Sequence, residues 1–194
     1  MNFKFRFIVI FILLLYATIS CQLVKEGDIK QNQFQVVSIK ETHLDAMEIA
    51  KKWSQDALLF RIDAEVYLPN SRNSKNELIY IFESPTNHKS FLRVICTSYE
   101  CNSQTNDLFT SFIDMRMDPI SIDGLEIDTF DATQIAISNS GDEYLDSKEA
   151  FGRMILGRDI DGTYRWLAFF GDRDVGSINI YIDPFNGNVL KIEK

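Results

Sequence analysis

The chain has 194 residues, with 20 Lys and Arg against 28 Asp and Glu, a net charge of −8 and 45% apolar residues. Such an acidic chain, whose basic residues are scattered, lacks the cationic surface that nucleic-acid binding requires, so we expect no nucleic-acid partner. The apolar fraction is that of a globular protein with a full core, in one domain or in two closely joined lobes.

Residues 1–20 have the pattern of an export signal. Lys4 and Arg6 precede an apolar run from Phe7 to Ser20. That run has about 14 residues, fewer than the roughly 20 that a helix needs to cross a bilayer. A basic start followed by a short apolar segment is typical of a secretory signal. We therefore expect an exported protein from which this segment is removed.

The signal ends in Ala-Thr-Ile-Ser-Cys at residues 17–21. A cysteine directly after a small residue at the end of the apolar run resembles the bacterial lipoprotein box. This resemblance implies cleavage before Cys21, acylation of its sulfur and attachment to the cell envelope, at the outer membrane or cell surface. An acyl chain contributes about 0.8 kcal/mol per buried CH₂, so several chains would anchor the protein firmly. The alternative is an ordinary secretory signal with a chance cysteine.

Residues 21–41 are expected to comprise the acylated cysteine, a polar tether and a short lead-in strand at about 34–39. A helix is predicted over about 43–54, opening at Thr42, because Ala46, Ile49, Ala50 and Trp53 recur at three- and four-residue spacing. Three strand-like segments follow, at about 58–68, 77–83 and 90–97. Together these elements predict a first unit over residues 42–103.

Two further cysteines, Cys96 and Cys101, have four residues between them. In an exported protein such a pair is expected to form a disulfide, and this spacing suits the two sides of a tight turn. A metal site is the alternative, but the chain has two histidines and no recognisable ligand spacing.

The second half follows the same order after a connector at 104–127. Asp128 or Thr129 is expected to cap a helix that Gly141 ends. Strands are predicted at about 145–156, 164–170 and 177–183, which gives a second unit over residues 128–194.

The two halves are also related in sequence. At an offset of 86 residues, segment 45–59 matches its counterpart at seven of fifteen positions. We interpret this match as an internal duplication. The predicted fold is therefore α+β, with two similar units, each a helix packed on an antiparallel sheet of three to four strands.

The last predicted strand and turn, residues 178–190, run Ile-Asn-Ile-Tyr-Ile-Asp-Pro-Phe-Asn-Gly-Asn-Val-Leu. Asp183-Pro184 starts a turn and Gly187 supplies the positive φ that ends it. This segment resembles the ending of PepSY domains, whereas the first unit has Cys96–Cys101 at the corresponding turn. The resemblance implies tandem PepSY-like modules that bind or inhibit a peptidase or another envelope protein and are not catalysts.

The residues that carry chemistry form no recognisable catalytic motif. His43 and His88 lie in neither a zinc-binding nor a nucleophile motif, so we expect no catalytic residue, metal or cofactor. Four aspartates in two glycine-containing loops are interpreted as turn residues, with calcium as the alternative: Asp159, Asp161, Asp172 and Asp174. Six aromatic residues are interpreted as core, with a ligand groove as the alternative: Trp53, Tyr80, Phe82, Trp166, Phe169 and Phe170.

These observations predict an exported lipoprotein that acts as a non-catalytic binding module. Two alternatives remain open at this point. One is a carrier with a deep apolar cavity between the units. The other is an enzyme whose site is assembled in space from distant residues.

The anchor has a direct test. We expect mass spectrometry of the mature protein to show an acylated N-terminal Cys21. The Cys21→Ser variant should lose the acyl mass and leave the membrane fraction, while Ser20→Ala, which keeps a small residue before the cysteine, should retain both. An unmodified Cys21 in the wild-type protein would contradict the prediction.

Overall fold

The computed structural model describes residues 34–72, 75–107, 118–140, 144–145, 148–158, 161–172 and 174–194. Of three residues within these ranges, His88, Lys89 and Asp107, only the backbone is described. The expected signal, Cys21 and tether lie outside these ranges. Residues from Phe34 to Lys194 form one compact unit.

The described chain twice runs through a helix followed by four strands. The first half consists of α1 (Ile39–Trp53), β1 (Leu58–Val66), β2 (Glu77–Ser84), β3 (Asn87–Cys96) and β4 (Cys101–Asp107). The second half consists of α2 (Thr129–Ser140), β5 (Phe151–Arg158), β6 (Tyr164–Asp172), β7 (Gly176–Ile182) and β8 (Val189–Glu193).

The eight strands form one antiparallel sheet in the order β4-β3-β2-β1-β5-β6-β7-β8. Each half is a meander of neighbouring strands, and the halves join where β1 pairs with β5, with Ile62 opposite Leu156. The α+β prediction, with helices and an antiparallel sheet, is confirmed. The two predicted sheets, however, are halves of one continuous sheet, because the first strand of each meander pairs with the other.

Several predicted boundaries were wrong. The lead-in strand at 34–39 is a single bridge between Gln35 and Tyr67, and α1 begins at Ile39 because Ser38 caps it. The strand predicted at 145–156 begins only at Phe151. β4 (Cys101–Asp107) was not predicted as a strand, since its polar sequence gave no apolar alternation to detect. Gly141 lies outside the described residues.

The core lies between one face of the sheet and the two helices. Alternate residues of the central strands, such as Ile62 and Leu156, are fully buried there. α1 packs on β2, β3 and β4, and α2 packs on β5, β6 and β7. Small residues let the helices approach closely, with Ala46 and Ala50 in α1 and Ala132 and Ala136 in α2 fully buried.

The N-termini of the two helices meet at one buried carboxylate, that of Asp128. Its Oδ1 accepts hydrogen bonds from the backbone N–H of Thr129 at 2.7 Å and of Ile39 at 3.0 Å. Its Oδ2 accepts one from the hydroxyl of Ser38 at 2.5 Å, and that hydroxyl in turn accepts from the backbone N–H of Glu41 at 3.3 Å. One side chain therefore caps α2 directly and α1 both directly and through Ser38.

Two buried side chains attach this capping region to the sheet. The Tyr80 hydroxyl lies 2.8 Å from that of Thr42 in α1, and burial raises the pKa of the Tyr80 phenol well above its usual value. The indole of Trp166 donates to the carbonyl of Ile127 at 3.1 Å. Tyr80 and Trp166 are themselves 86 residues apart, and each holds its own half of the sheet against the start of a helix.

A second carboxylate, Asp56, joins the turn after α1 to the β2–β3 turn. It accepts hydrogen bonds from the hydroxyls of Ser54 at 2.5 Å and Ser84 at 2.6 Å, and from the backbone N–H of Thr86 at 3.1 Å. These bonds, with Ser54 and Ser84 contributing most, hold the pKa of Asp56 well below its usual range. This contact fixes the end of α1 as Asp128 fixes its start.

We expect Asp128→Ala to lower the free energy of unfolding by about 3 kcal/mol, because two helix caps are lost and a buried backbone N–H is left without its acceptor. Urea unfolding followed by circular dichroism measures the change. Asp45→Ala is the control, since Asp45 is exposed on α1 and its loss should change stability by less than about 0.5 kcal/mol. Equal effects of the two substitutions would contradict the shared cap.

At one edge of the sheet the β3–β4 hairpin is closed by a disulfide. Cys96 and Cys101 lie directly opposite each other in the pairing and their sulfurs are bonded. The turn between them is held by the backbone N–H of Thr97, which donates to the carbonyl of Glu100 at 2.9 Å. The disulfide thus links the polar edge strand β4 covalently to β3.

We expect alkylation of the unfolded protein without reductant to leave Cys96 and Cys101 unlabelled. Reduction should lower the free energy of unfolding by about 2 kcal/mol, because the closed loop is short. In the Cys96→Ser, Cys101→Ser double variant, reductant should not change the free energy of unfolding. Labelling of both cysteines in the unreduced protein would show that the bond is not formed.

Candidate binding surface

The face of the sheet opposite the helices carries a mixed apolar and charged surface, here called the open face. One row of paired residues crosses all eight strands of this face. From β4 to β8 the row is Asn102, Ile95, Ile79, Asp63, Ile155, Leu167, Tyr181 and Lys191. In the middle of the row apolar residues thus flank Asp63 on both sides, and polar residues end the row at both edges.

Asp63 lies in the middle of this row and is buried. Its carboxylate accepts from Nε of Arg61 and from Nη2 of Arg153, each at 2.6 Å. Because a buried carboxylate is costly without partners, the two guanidinium groups stabilise Asp63, and Asp63 in turn fixes their positions on the open face. The central Asp63 is therefore a positioning group for two arginines.

A shallow depression of about 180 Å³ lies beside this pair. Its wall contains three arginines, Arg61, Arg158 and Arg165, together with Tyr181. Ile155, Gly157 and Leu167 complete the lining. None of these described lining residues is acidic, although the chain as a whole has a net charge of −8.

Two of the cationic groups near the depression are fixed by neighbouring side chains. Nη2 of Arg165 contacts both carboxylate oxygens of Asp161, at 3.0 and 2.8 Å. The Arg165 guanidinium also lies 5.6 Å from the centre of the Tyr181 ring, and the Lys191 ammonium lies 5.8 Å from it. Cation–π contact of this kind stabilises the ring position of Tyr181.

Hydrogen bonds also lower the pKa values of two carboxylates that pair with these cations. The Glu193 carboxylate accepts from the Lys191 ammonium and, at 3.0 Å, from the Tyr181 hydroxyl, and these bonds hold the pKa of Glu193 below its usual value. The pKa of Asp161 is lowered chiefly by the hydrogen bond from the backbone N–H of Thr163. Both carboxylates are therefore ionised at neutral pH and pair with cations on this side of the sheet.

The second candidate feature is β8, the edge strand at the end of the sheet opposite β4. Three of its apolar side chains are exposed, Val189 by 36%, Leu190 by 49% and Ile192 by 43%. Phe185, in the preceding turn, is 47% exposed. α2 packs on the strands before β8, so the helix-side surface of this edge is only partly covered.

The turn before β8 is the segment that resembles the ending of PepSY domains. The Asp183 carboxylate accepts from the backbone N–H of Phe185 at 2.8 Å, and Gly187 has a φ of +76°. The predicted roles of Asp183 and Gly187 in this turn are thus confirmed. A Cβ at Gly187 would also lie 3.1 Å from the Ile135 side chain of α2, so the turn packs closely beneath that helix.

The described residues among those considered for chemistry make local contacts. His43 lies within α1 with Nδ1 3.1 Å from the carbonyl of Ile39, and the His88 side chain is not among those described. Asp172 accepts from the backbone N–H of Asp174 and of Val175, which is the role of a turn residue. Asp159 is outside the described residues, and Asp161 pairs with Arg165 as above. In the described ranges, no three His, Cys, Asp or Glu residues lie close enough to hold a metal ion.

Most of the predicted aromatic residues belong to the core. Tyr80, Phe82, Trp166 and Phe170 are fully buried beneath the helices. Trp53 is half-buried against that core, and Phe169 is half-buried with its ring 5.2 Å from that of Phe151. The core interpretation is confirmed for the four buried residues.

Sequence reasoning missed the arginines of the open face. A signal for them exists, because Arg61, Arg153 and Arg165 each precede a buried residue of a strand (Ile62, Met154 and Trp166). In a strand the next position points to the opposite face, so each arginine lies on the open side. What the sequence alone did not provide is the strand order that brings β1, β5 and β6 together.

Comparison with protein-family models, curated proteins and solved structures finds no match to this chain. The lipoprotein and PepSY resemblances therefore remain predictions from residues 17–21 and 178–190. No helix in the described part of the chain is long and apolar enough to span a membrane. The function is argued below from the surfaces of the sheet.

Proposed function

We propose that the protein is an exported, lipid-anchored binding module that captures an extended peptide segment of an envelope protein or peptidase along β8. Its role is non-catalytic. The observation that carries this proposal is the exposed apolar edge strand, Val189–Glu193.

An edge strand presents unpaired backbone N–H and C=O groups, and an incoming strand can pair with them. Side chains then add specificity, because alternate residues of the added strand point to opposite faces. On the helix side such a strand would meet Ile192, which is opposite Ile180 of β7. On the open side it would meet Lys191 and Glu193. We therefore expect a partner strand with apolar residues on one side and charged residues on the other.

The two edges of the sheet differ in a way that favours β8 over β4 as the site of strand addition. β4 has the sequence Cys-Asn-Ser-Gln-Thr-Asn-Asp and has no large apolar side chain. A strand that added there would bury little apolar surface. On β8 each methylene buried by a partner contributes about 0.8 kcal/mol, so the exposed apolar residues supply affinity that β4 lacks.

We expect peptides selected from a displayed library on the wild-type protein to bind about tenfold more weakly to Ile192→Lys, because lysine on an edge strand opposes strand addition. The affinity is measured by fluorescence anisotropy with the selected peptide. The selected sequences should show alternating apolar residues.

Ser103→Lys is the matched control, because Ser103 is an exposed residue of the other edge strand and lies opposite Val94 on the helix side. It should leave peptide affinity unchanged. Selection of peptides whose binding is insensitive to Ile192→Lys, or equally sensitive to Ser103→Lys, would overturn the assignment to β8.

A further inference from the structure

The open face of the sheet has a distribution of charge that is complementary to its own. In the described part of the chain, both helices pack on the other face. We propose that two copies of this chain associate face to face through the open face. The two-fold axis runs along the row from Asn102 to Lys191, here called the central row. This interface does not rest on the proposed function, since it uses the face of the sheet and not the edge strand β8.

Two further rows of the open face flank the central row, each two residues away along the strands. The residues on one side, here called the arginine row, are basic or uncharged: Gln104, Arg93, Ile81, Arg61, Gly157 and Arg165. Those on the other side, here called the glutamate row, are mostly acidic or uncharged: Glu77, Glu65, Arg153, Phe169, Asn179 and Glu193. Opposite charges therefore lie on the two sides of a largely apolar middle.

Within one copy, the glutamate row contains an unfavourable pair of like charges. Glu65 lies directly opposite Glu77 in the pairing of β1 with β2, and carboxylates at such positions repel each other. The ion pair of Glu77 is a long one, 3.7 Å to the exposed Lys75. Among the described residues, Glu65 has no ion-pair partner. A cation supplied by another molecule would relieve this repulsion.

Arg93 is the cation of the arginine row that can supply this charge. Arg61 and Arg165 already bind carboxylates of their own chain. Arg93 is half-buried on β3, between two buried residues that face the helices, so it lies on the open side. No described residue forms an ion pair with it. One copy thus has an unpaired arginine on one side of the central row and excess carboxylates on the other.

The two rows select the direction of the two-fold axis. When the strands of two facing copies are aligned, the axis runs either along the strands or along the rows. An axis along the strands would place arginine row on arginine row, so that like charges meet. An axis along the central row places the arginine row of each copy over the glutamate row of the other, and the central row over itself. Complementary charge therefore favours the second arrangement.

This axis gives Arg93 a definite partner. Because β3 and β2 are neighbours, Arg93 of one copy lies one strand spacing, about 4.8 Å, to the side of Glu77 of the other copy. The symmetry repeats the contact, so the interface contains it twice. Within one chain the same two residues lie on opposite sides of the central row, about 14 Å apart along the strands. The ion pair can therefore form only between copies.

The size and charge of the open face also suit a dimer. Eight strands spaced by about 4.8 Å and three rows spaced by about 6.8 Å cover roughly 750 Å², near the ~800 Å² that each partner buries in a standard interface. The three rows together contain five basic and four acidic residues, whereas the whole chain has 20 and 28. This face thus lacks the excess of negative charge that would make two copies repel.

The test is the mass of the full-length protein, purified in mild detergent and measured by sedimentation equilibrium at matched detergent density. We expect a reversible dimer. Ile155→Lys should raise its Kd about 100-fold, because Ile155 meets its own counterpart on the axis and two enclosed lysines would repel there. Ile192→Lys is the matched control, since it makes the same change on β8. It should leave the dimer unchanged while it weakens peptide binding.

A charge exchange tests the axis itself. Arg93→Glu and Glu77→Arg should each raise the Kd about tenfold, and the double variant should return it to within about threefold of the wild-type value. Such a rescue cannot arise within one chain. It also keeps the test decisive if circular dichroism shows that Ile155→Lys does not fold.

A wild-type protein that stays monomeric at all concentrations would overturn the interface. A dimer that is lost in Ile192→Lys but kept in Ile155→Lys would indicate pairing of β8 edges and would also overturn it. A double variant no tighter than the single ones would overturn the axis along the central row. None of these results depends on whether β8 binds a peptide, so the two proposals fail independently.

Discussion

The contact on which the fold most depends is the carboxylate of Asp128 at the start of both helices. Each helix N-terminus carries unpaired N–H groups and the positive end of the helix dipole, and two such ends near each other repel. A single buried anion satisfies donors from both and offsets that repulsion. Because α1 packs on one half of the sheet and α2 on the other, the same contact joins the two halves above the β1–β5 pairing.

The sheet that results has two unlike faces and two unlike edges. The helices cover one face, and on the other a buried Asp63 fixes arginines within an apolar row. One edge is polar and fastened by a disulfide, whereas the other is apolar and exposed. The proposed peptide site lies in the second half, although the two halves share one order of elements. The difference between the halves is therefore in their surfaces and not in their topology.

The sequence was informative where apolar periodicity was strong. The helices, β2, β6 and β7 were predicted within a few residues, and the turn ending at Gly187 was predicted from its residue types. β4 was missed because the six residues after Cys101 are all polar and show no alternation. The start of α1 was placed late because Ser38 acts with Asp128, a residue distant in the chain. The arginine-lined depression was not predicted for a related reason. Its walls come from strands whose neighbours are set by the β1–β5 pairing, which no local pattern specifies.

The β1–β5 pairing also differs from every other strand pairing of the sheet in the sequence separation of its residues. Every other pair of neighbouring strands is consecutive in the chain, whereas Ile62 and Leu156 are about 90 residues apart. Closing so long a loop costs more chain entropy than forming a hairpin, and contacts of high sequence separation slow folding. The two meanders are thus expected to form early and separately, and the rate of folding is governed by the encounter of their first strands. From the topology we therefore expect two locally folded meanders that join in one slower step.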